Sequence, residues 1–235
     1  MKYKSRAISL TYIKQGESSI VSKILTEEKG LQTFIVKGVR SKNSQNKISY
    51  FEPFKLITID AEFNSKKSLQ YLKEVTILEN FSDLKNKMIK HFIAFFSAEV
   101  ASRVFQENEK NIALFNFMWH TAYSLYQNEK TDPNFALKYL LNLSKFLGFY
   151  PSKTKLNLPF FNMENGEFSE KKEFQNICLD KEKSDYLKAL LENQYLHIRQ
   201  KKKTELLKDL LRYYKLHHYN LDNITSHLVL ESLRK

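Results

Sequence analysis

The sequence predicts an α+β protein in which a small five-stranded β-barrel precedes an all-helical domain. Three observations carry that prediction: five short runs rich in Ile, Val, Leu and Thr fall within the first 78 residues, no helical period interrupts them, and beyond residue 80 the apolar residues recur every three or four positions. The boundary is placed there, with one domain at about 1–80 and a helical domain at 81–235.

The strand runs are 5–14, 18–26 and 31–37, then, after Pro53, 54–63 and 69–78. The last two are split by the polar Asn64-Ser65-Lys66-Lys67-Ser68. All five glycines, Gly16, Gly30, Gly38, Gly148 and Gly166, fall at expected turns or element ends. Five strands with no crossover helix suit a closed or partly open barrel, of which the OB-fold is a common nucleic-acid-binding form. Further on, Leu84, Met88, Phe92, Phe95, Phe96, Val100 and Val104 trace a helix apolar over much of its circumference, expected to be central. Helices are also expected at 111–128 and at 133–147, the latter with Pro133 in its first turn and Gly148 at its end. Tyr150-Pro151 breaks the pattern, and 152–180 carries little signal beyond a short hairpin around Asn165-Gly166. Helices resume at 184–196, 201–218 and 226–233.

A net charge of +12 and a pI near 9.5 call for a polyanionic partner, and nucleic acid is the usual one because each phosphate contact releases counterions. No apolar run approaches the roughly 18 residues of a membrane-spanning helix, and the basic start leads into no signal-peptide core. A cytoplasmic, nucleoid-associated protein with no membrane partner is expected. Cys178 is the only cysteine, which excludes a disulfide framework and any Cys-based zinc site. Most of the 18 Phe and 13 Tyr are expected in cores.

Charge is concentrated toward the first domain, where residues 1–78 hold 14 Lys and Arg against 7 Asp and Glu. Between residues 37 and 47, Lys37, Arg40, Lys42 and Lys47 occur without an acidic residue, a pattern that can follow a phosphate backbone. A solvated surface loop would look the same. Lys66 and Lys67 lie between the last two strands, where OB-folds often grip a nucleic-acid strand. Tyr50 and Phe51, near the first basic loop, are candidates to stack on bases, whereas Phe34 is expected in the core. In the late helix Leu206, Leu207, Leu210, Leu211 and Tyr214 form an apolar stripe. Lys201, Lys208, Arg212 and Lys215, interrupted by Glu205, form a basic ridge on another face. That ridge suits DNA, an acidic peptide or plain solvent.

Catalytic patterns are missing from the sequence. Five scattered glycines build neither GxxxxGK nor GxGxxG, and there is no GxSxG elbow or HExxH. Asp60 and Glu62 share a strand face, read as a polar surface, and His217-His218 are read as closing a basic helix where positive charge is favourable. No catalytic residue, metal ligand or cofactor is assigned.

The order of segments resembles the RecO family over nearly the whole chain. Ala7-Ile8-Ser9-Leu10, the run Gly16-Glu17-Ser18-Ser19-Ile20-Val21 and Leu25-Thr26-Glu27-Glu28-Lys29-Gly30 look like the family's first barrel strands. The stretch from Phe34 to Lys42 is similar to its strand running into a basic loop. Pro53-Phe54, Leu72-Lys73-Glu74, Glu99-Val100, Ala113-Leu114-Phe115, Leu147-Gly148-Phe149-Tyr150-Pro151 and Leu211-Arg212-Tyr213-Tyr214 continue the likeness.

The resemblance implies a non-enzymatic recombination mediator in DNA repair. Such a protein would bind single- and double-stranded DNA, anneal complementary strands, contact the acidic C-terminal tail of single-strand-binding protein, and work with RecR to load RecA. One departure stands out: many family members carry a four-cysteine zinc site after the Leu-Gly-Phe-x-Pro stretch, whereas 152–180 here offers Cys178 alone. A zinc-free segment is expected, with packing by Phe160, Phe161 and Phe168 in place of the metal. Two rival readings are a generic single-strand-binding OB module without annealing activity and a scaffold for acidic peptides.

Overall fold

The computed structural model describes residues 1–41, 47–78, 88–172, 177–222, 224 and 226. Lys42, Leu84 and all but the first residue of the helix expected at 226–233 lie outside the described residues. Five strands, β1 (Lys2–Gln15), β2 (Ser19–Thr26), β3 (Gly30–Val36), β4 (Leu56–Glu62) and β5 (Gln70–Ile77), close into a barrel in the order β1-β2-β3-β5-β4. All pairings are antiparallel except the short parallel contact of β3 with β5, the connection that closes the barrel.

The barrel follows from the alternation of its strands. Ile20 and Ile24, Phe34 and Val36, Ile57 and Ile59, and Leu72 and Val75 point inward around the small Ala7 and Ala61. A register irregularity between Ser9 and Thr11 lets the long β1 bend and serve both β2 and β4. Between β3 and β4 a 3₁₀ turn, Ile48–Phe51, places Phe51 inside the barrel.

Compactness divides the chain into Met1–Thr131 and Asp132–Lys235. The first unit therefore contains two helices, α1 (Met88–Val104) packed on β1 and α2 (Ile112–Gln127) packed on β4. The change of hydrophobic period near residue 80 marks a change of element type. Which elements share a core is a separate matter. α1 buries Ile93, Ala94, Phe96, Ala98, Val100, Ala101 and Val104, but Met88 and Phe95 are exposed. The helix expected to be central is thus buried over one broad side. Asn111 caps α2 by accepting a hydrogen bond from the Leu114 amide at 2.9 Å.

In the second unit α3 spans Phe135–Phe146, so Pro133 lies before the helix and not in its first turn. The expected hairpin forms as β6 (Phe160–Asn162) and β7 (Glu167–Ser169). α4 (Lys181–Leu191) begins earlier than expected because Asp180 is its cap, accepting from the Lys183 amide at 2.9 Å. It also ends earlier, with Asn193 in the left-handed region just beyond it. α5 (Gln200–Leu216) packs on α3 through a buried pair, the Tyr213 hydroxyl donating to the Phe149 carbonyl and the Tyr214 hydroxyl to the Leu140 carbonyl. Phe149 lies within 4.7–5.4 Å of the rings of Tyr213, Tyr214, His217 and Tyr219. His217 is indeed the residue that closes α5, but its ring lies flat on Phe149 and burial lowers its pKa, which corrects the view of it as a positively charged cap. No helix among the described residues is long and apolar enough to cross a membrane.

Candidate nucleic-acid interface

The loop leaving β3 is anchored where it leaves the strand. Val39 is buried in the barrel core, the Arg40 amide donates to the Ser18 carbonyl at 3.0 Å, and the Arg40 guanidinium donates to the Gly16 carbonyl at 3.0 Å. The β1–β2 turn thus holds the loop, and Arg40 is partly spent on that contact. Lys37 and Lys47 are exposed. The β4–β5 loop is built differently, around the buried Gln70. Its side chain accepts from the Asn64 amide at 2.8 Å and donates to the carbonyls of Lys67 at 2.6 Å and Asn64 at 3.1 Å. A satisfied buried amide fixes the loop, and Lys66 and Lys67 remain exposed on it. Among the described residues none of Lys37, Arg40, Lys47, Lys66 and Lys67 is ion-paired to a carboxylate.

β3 and β5 pair in parallel only at Phe34–Gln70 and Ile35–Tyr71, so β5 begins beside Phe34, two residues before β3 ends at Val36. The two basic loops therefore lie on either side of this short seam.

The aromatic candidates are redistributed. Phe51 is completely buried in the barrel, its carbonyl accepting from the Ser9 hydroxyl at 2.9 Å, so the stacking role considered for it is corrected: it has no exposed ring face. Tyr50 is half-buried and packs against the same core. Phe34 is in the core as expected. The half-exposed aromatic at this seam is Tyr71, which sequence reading treated as an ordinary strand residue. Its signal was the alternation Gln70-Tyr71-Leu72-Lys73, readable only once the inward positions are known.

A second basic feature lies on α5. Lys208, Arg212 and Lys215 line a pocket of about 760 Å³ together with Leu211, Leu216, His218 and Leu221. Asp222 also lines it and pairs with Lys215 at 2.6 Å. Lys201 is exposed one turn and more before the pocket and does not line it. Glu205, expected to interrupt the ridge, pairs with Lys202 at 3.5 Å.

The donors present do not fit a four-cysteine zinc site. Cys178 is buried and bridges to Asn162 beside the β6–β7 hairpin, and among the described residues no group of three His, Cys, Asp or Glu could hold a metal ion. The hairpin is held by packing: Phe161 lies 5.1 Å from Phe168 and 5.5 Å from Tyr213. The Leu179 amide also donates to the Phe161 carbonyl at 2.9 Å.

A closed five-stranded barrel with two basic loops, followed by helices carrying a basic pocket, defines a protein of the OB-barrel class. The family model for the recombination protein O N-terminal domain matches residues 1–81, and that for its C-terminal domain matches residues 86–223. The chain is 34% identical to the DNA repair protein RecO of Flavobacterium psychrophilum over 100% of its length and 99% of the relative's. It is 32% identical to the RecO of Christiangramia forsetii over 91% of each chain, and 28% identical to that of Azobacteroides pseudotrichonymphae over 99% of each. The chain belongs to the RecO family of DNA repair proteins.

Proposed function

We propose that this chain is a recombination mediator that binds single- and double-stranded DNA, anneals complementary strands and, with RecR, helps load RecA onto DNA covered by single-strand-binding protein. The observation that carries this reading is the pair of basic loops beside the short β3–β5 seam, whose described lysines are exposed and not paired to a carboxylate. Lys37 and Lys47 in one loop, and Lys66 and Lys67 in the other, neutralise backbone phosphates. Screening the repulsion between two backbones lets their bases meet and pair. No nucleotide hydrolysis is needed, because annealing is downhill once that repulsion is reduced.

In this reading the α5 pocket receives the acidic tail of single-strand-binding protein. Lys208, Arg212 and Lys215 meet its carboxylates, and Leu211, Leu216 and Leu221 take its apolar side chains.

A fluorescence annealing assay with complementary oligonucleotides, run without ATP or metal, tests the proposal. Wild type should accelerate annealing, and Lys37/Lys47/Lys66/Lys67→Ala should lose the acceleration. The same variant should lower the log–log salt slope of single-strand binding by about 3, at roughly 0.7 per phosphate contact. Binding without accelerated annealing would leave a generic single-strand-binding module, and an unchanged slope would remove these loops from the interface.

A further inference from the structure

We infer that Asp222 is a built-in competitor in the α5 pocket: the chain's own carboxylate holds Lys215, and an acidic peptide must displace it to use that cation. The inference rests on the acidic-tail role proposed above for this pocket. Its geometry comes from the way the chain leaves α5. His217 closes the helix and His218 takes the left-handed region at φ +70°, so the chain turns back beside the last helical turn. The Tyr219 amide donates to the Tyr214 carbonyl at 2.9 Å, and Leu221 and Ile224 are buried, which fastens the returning segment.

Between those two buried side chains Asp222 stays exposed. Its amide donates to the Asn220 side-chain oxygen at 2.9 Å, and its carboxylate accepts from Lys215 Nζ at 2.6 Å. Apolar burial anchors the segment, so the ion pair is not needed to hold it in place. With both partners more than half exposed, at 57% and 53%, the pair is weak and opens readily. It covers Lys215 without locking it.

The lining shows what is being covered. Lys208, Arg212 and Lys215 are four and three residues apart along α5 and share one face, and all three are exposed. Among the described residues Asp222 is the one acidic residue lining the pocket, and it offsets one of these three charges. A ligand whose single carboxylate takes Lys215 exchanges one ion pair for another and gains little. A peptide with several carboxylates meets Lys208 and Arg212 as well, and places apolar side chains on Leu211, Leu216 and Leu221. Asp222 thereby turns a general anion-attracting patch into one that favours multiply acidic, partly apolar segments.

The test is fluorescence anisotropy of a labelled acidic C-terminal peptide of single-strand-binding protein with the full chain, comparing wild type, Asp222→Asn, Lys215→Gln and the double variant at low and high salt. Asp222→Asn should tighten binding by about 2- to 5-fold at low salt, what an exposed ion pair is worth, and the gain should shrink as salt screens the pair. In the Lys215→Gln background the same substitution should give no gain, because the cation it uncovers is gone. Unchanged or weaker binding by Asp222→Asn would overturn the inference. So would an equal gain in the Lys215→Gln background, which would mean that the charge acts at a distance and not by holding Lys215. If neither wild type nor Asp222→Asn binds the peptide, the acidic-tail role of the pocket falls as well.

Discussion

Arg6 and Glu27 form a two-pronged ion pair, with Arg6 Nε donating to Glu27 Oε2 at 2.9 Å and Nη2 to Oε1 at 2.6 Å. The same guanidinium lies 4.9 Å from the ring centre of Trp119 and 5.8 Å from that of Phe115, so one side chain fastens β1, the end of β2 and α2. Arg6→Lys keeps the charge but loses the fork and most of the stacking. It should destabilise the chain by about 1 kcal/mol, and Arg6→Ala by about 1–2 kcal/mol, in urea unfolding followed by the fluorescence of Trp119. The hydrogen bond from Arg6 also lowers the Glu27 pKa. This contribution is therefore present above the usual carboxylate range and is lost as pH falls through the depressed native value, a loss absent from Glu27→Gln.

Gly30 and Gly16 share a positive φ, +67° and +60°, but not their surroundings. A Cβ on Gly16 would enter open space, whereas one on Gly30 would lie 2.0 Å from the Glu109 carbonyl oxygen. Gly16→Ala should cost about 1 kcal/mol, the ordinary left-handed penalty. Gly30→Ala should cost about 3 kcal/mol or more, because the 107–109 segment, which pairs with β3 at Leu31, must also move. Denaturant titration of the two variants side by side checks the difference.

His217 makes the second unit sensitive to acid. Burial is the main cause of its lowered pKa, and the neighbouring His218 adds to it. The unfolded chain therefore binds the proton first, near pH 6.5. Stability from this group is complete above that pH and declines as pH falls from 6.5 toward the depressed native value. His217→Phe, which preserves the flat contact with Phe149, should remove that part of the decline when urea midpoints are compared between pH 8 and pH 5.

The α5 pocket and the barrel loops should respond to different ligands. Arg212→Glu should weaken binding of the acidic C-terminal peptide of single-strand-binding protein at least tenfold by fluorescence anisotropy. Its oligonucleotide affinity should stay within about threefold of wild type. A matching loss for both ligands would place α5 on the DNA path.

Strand alternation, sparse glycines and the change of period were enough to read the five strands, the hairpin at Asn165-Gly166 and most helices, because these are local consequences of backbone geometry and side-chain pattern. Helix ends were read less well where a cap decided them, as Asp180 does for α4. The basic loops were legible as charge without an acidic neighbour. The contrast between Phe51 and Tyr71 was not. Both are aromatic, and each follows the last lysine of a basic loop by four residues, yet closure of the barrel buries one and leaves the other half in water.

By itself, then, the sequence determined the element types, their order, the positive charge and the likeness to a family, since each is carried by neighbouring residues or by their order along the chain. Only the tertiary structure decided that α1 and α2 join the barrel in one compact unit, that Lys208, Arg212 and Lys215 line a pocket, and that Ile13, Val21, Ile35 and Tyr71 form one row. Those facts depend on strand register and on which faces are covered, and both are set by contacts between residues far apart in the chain.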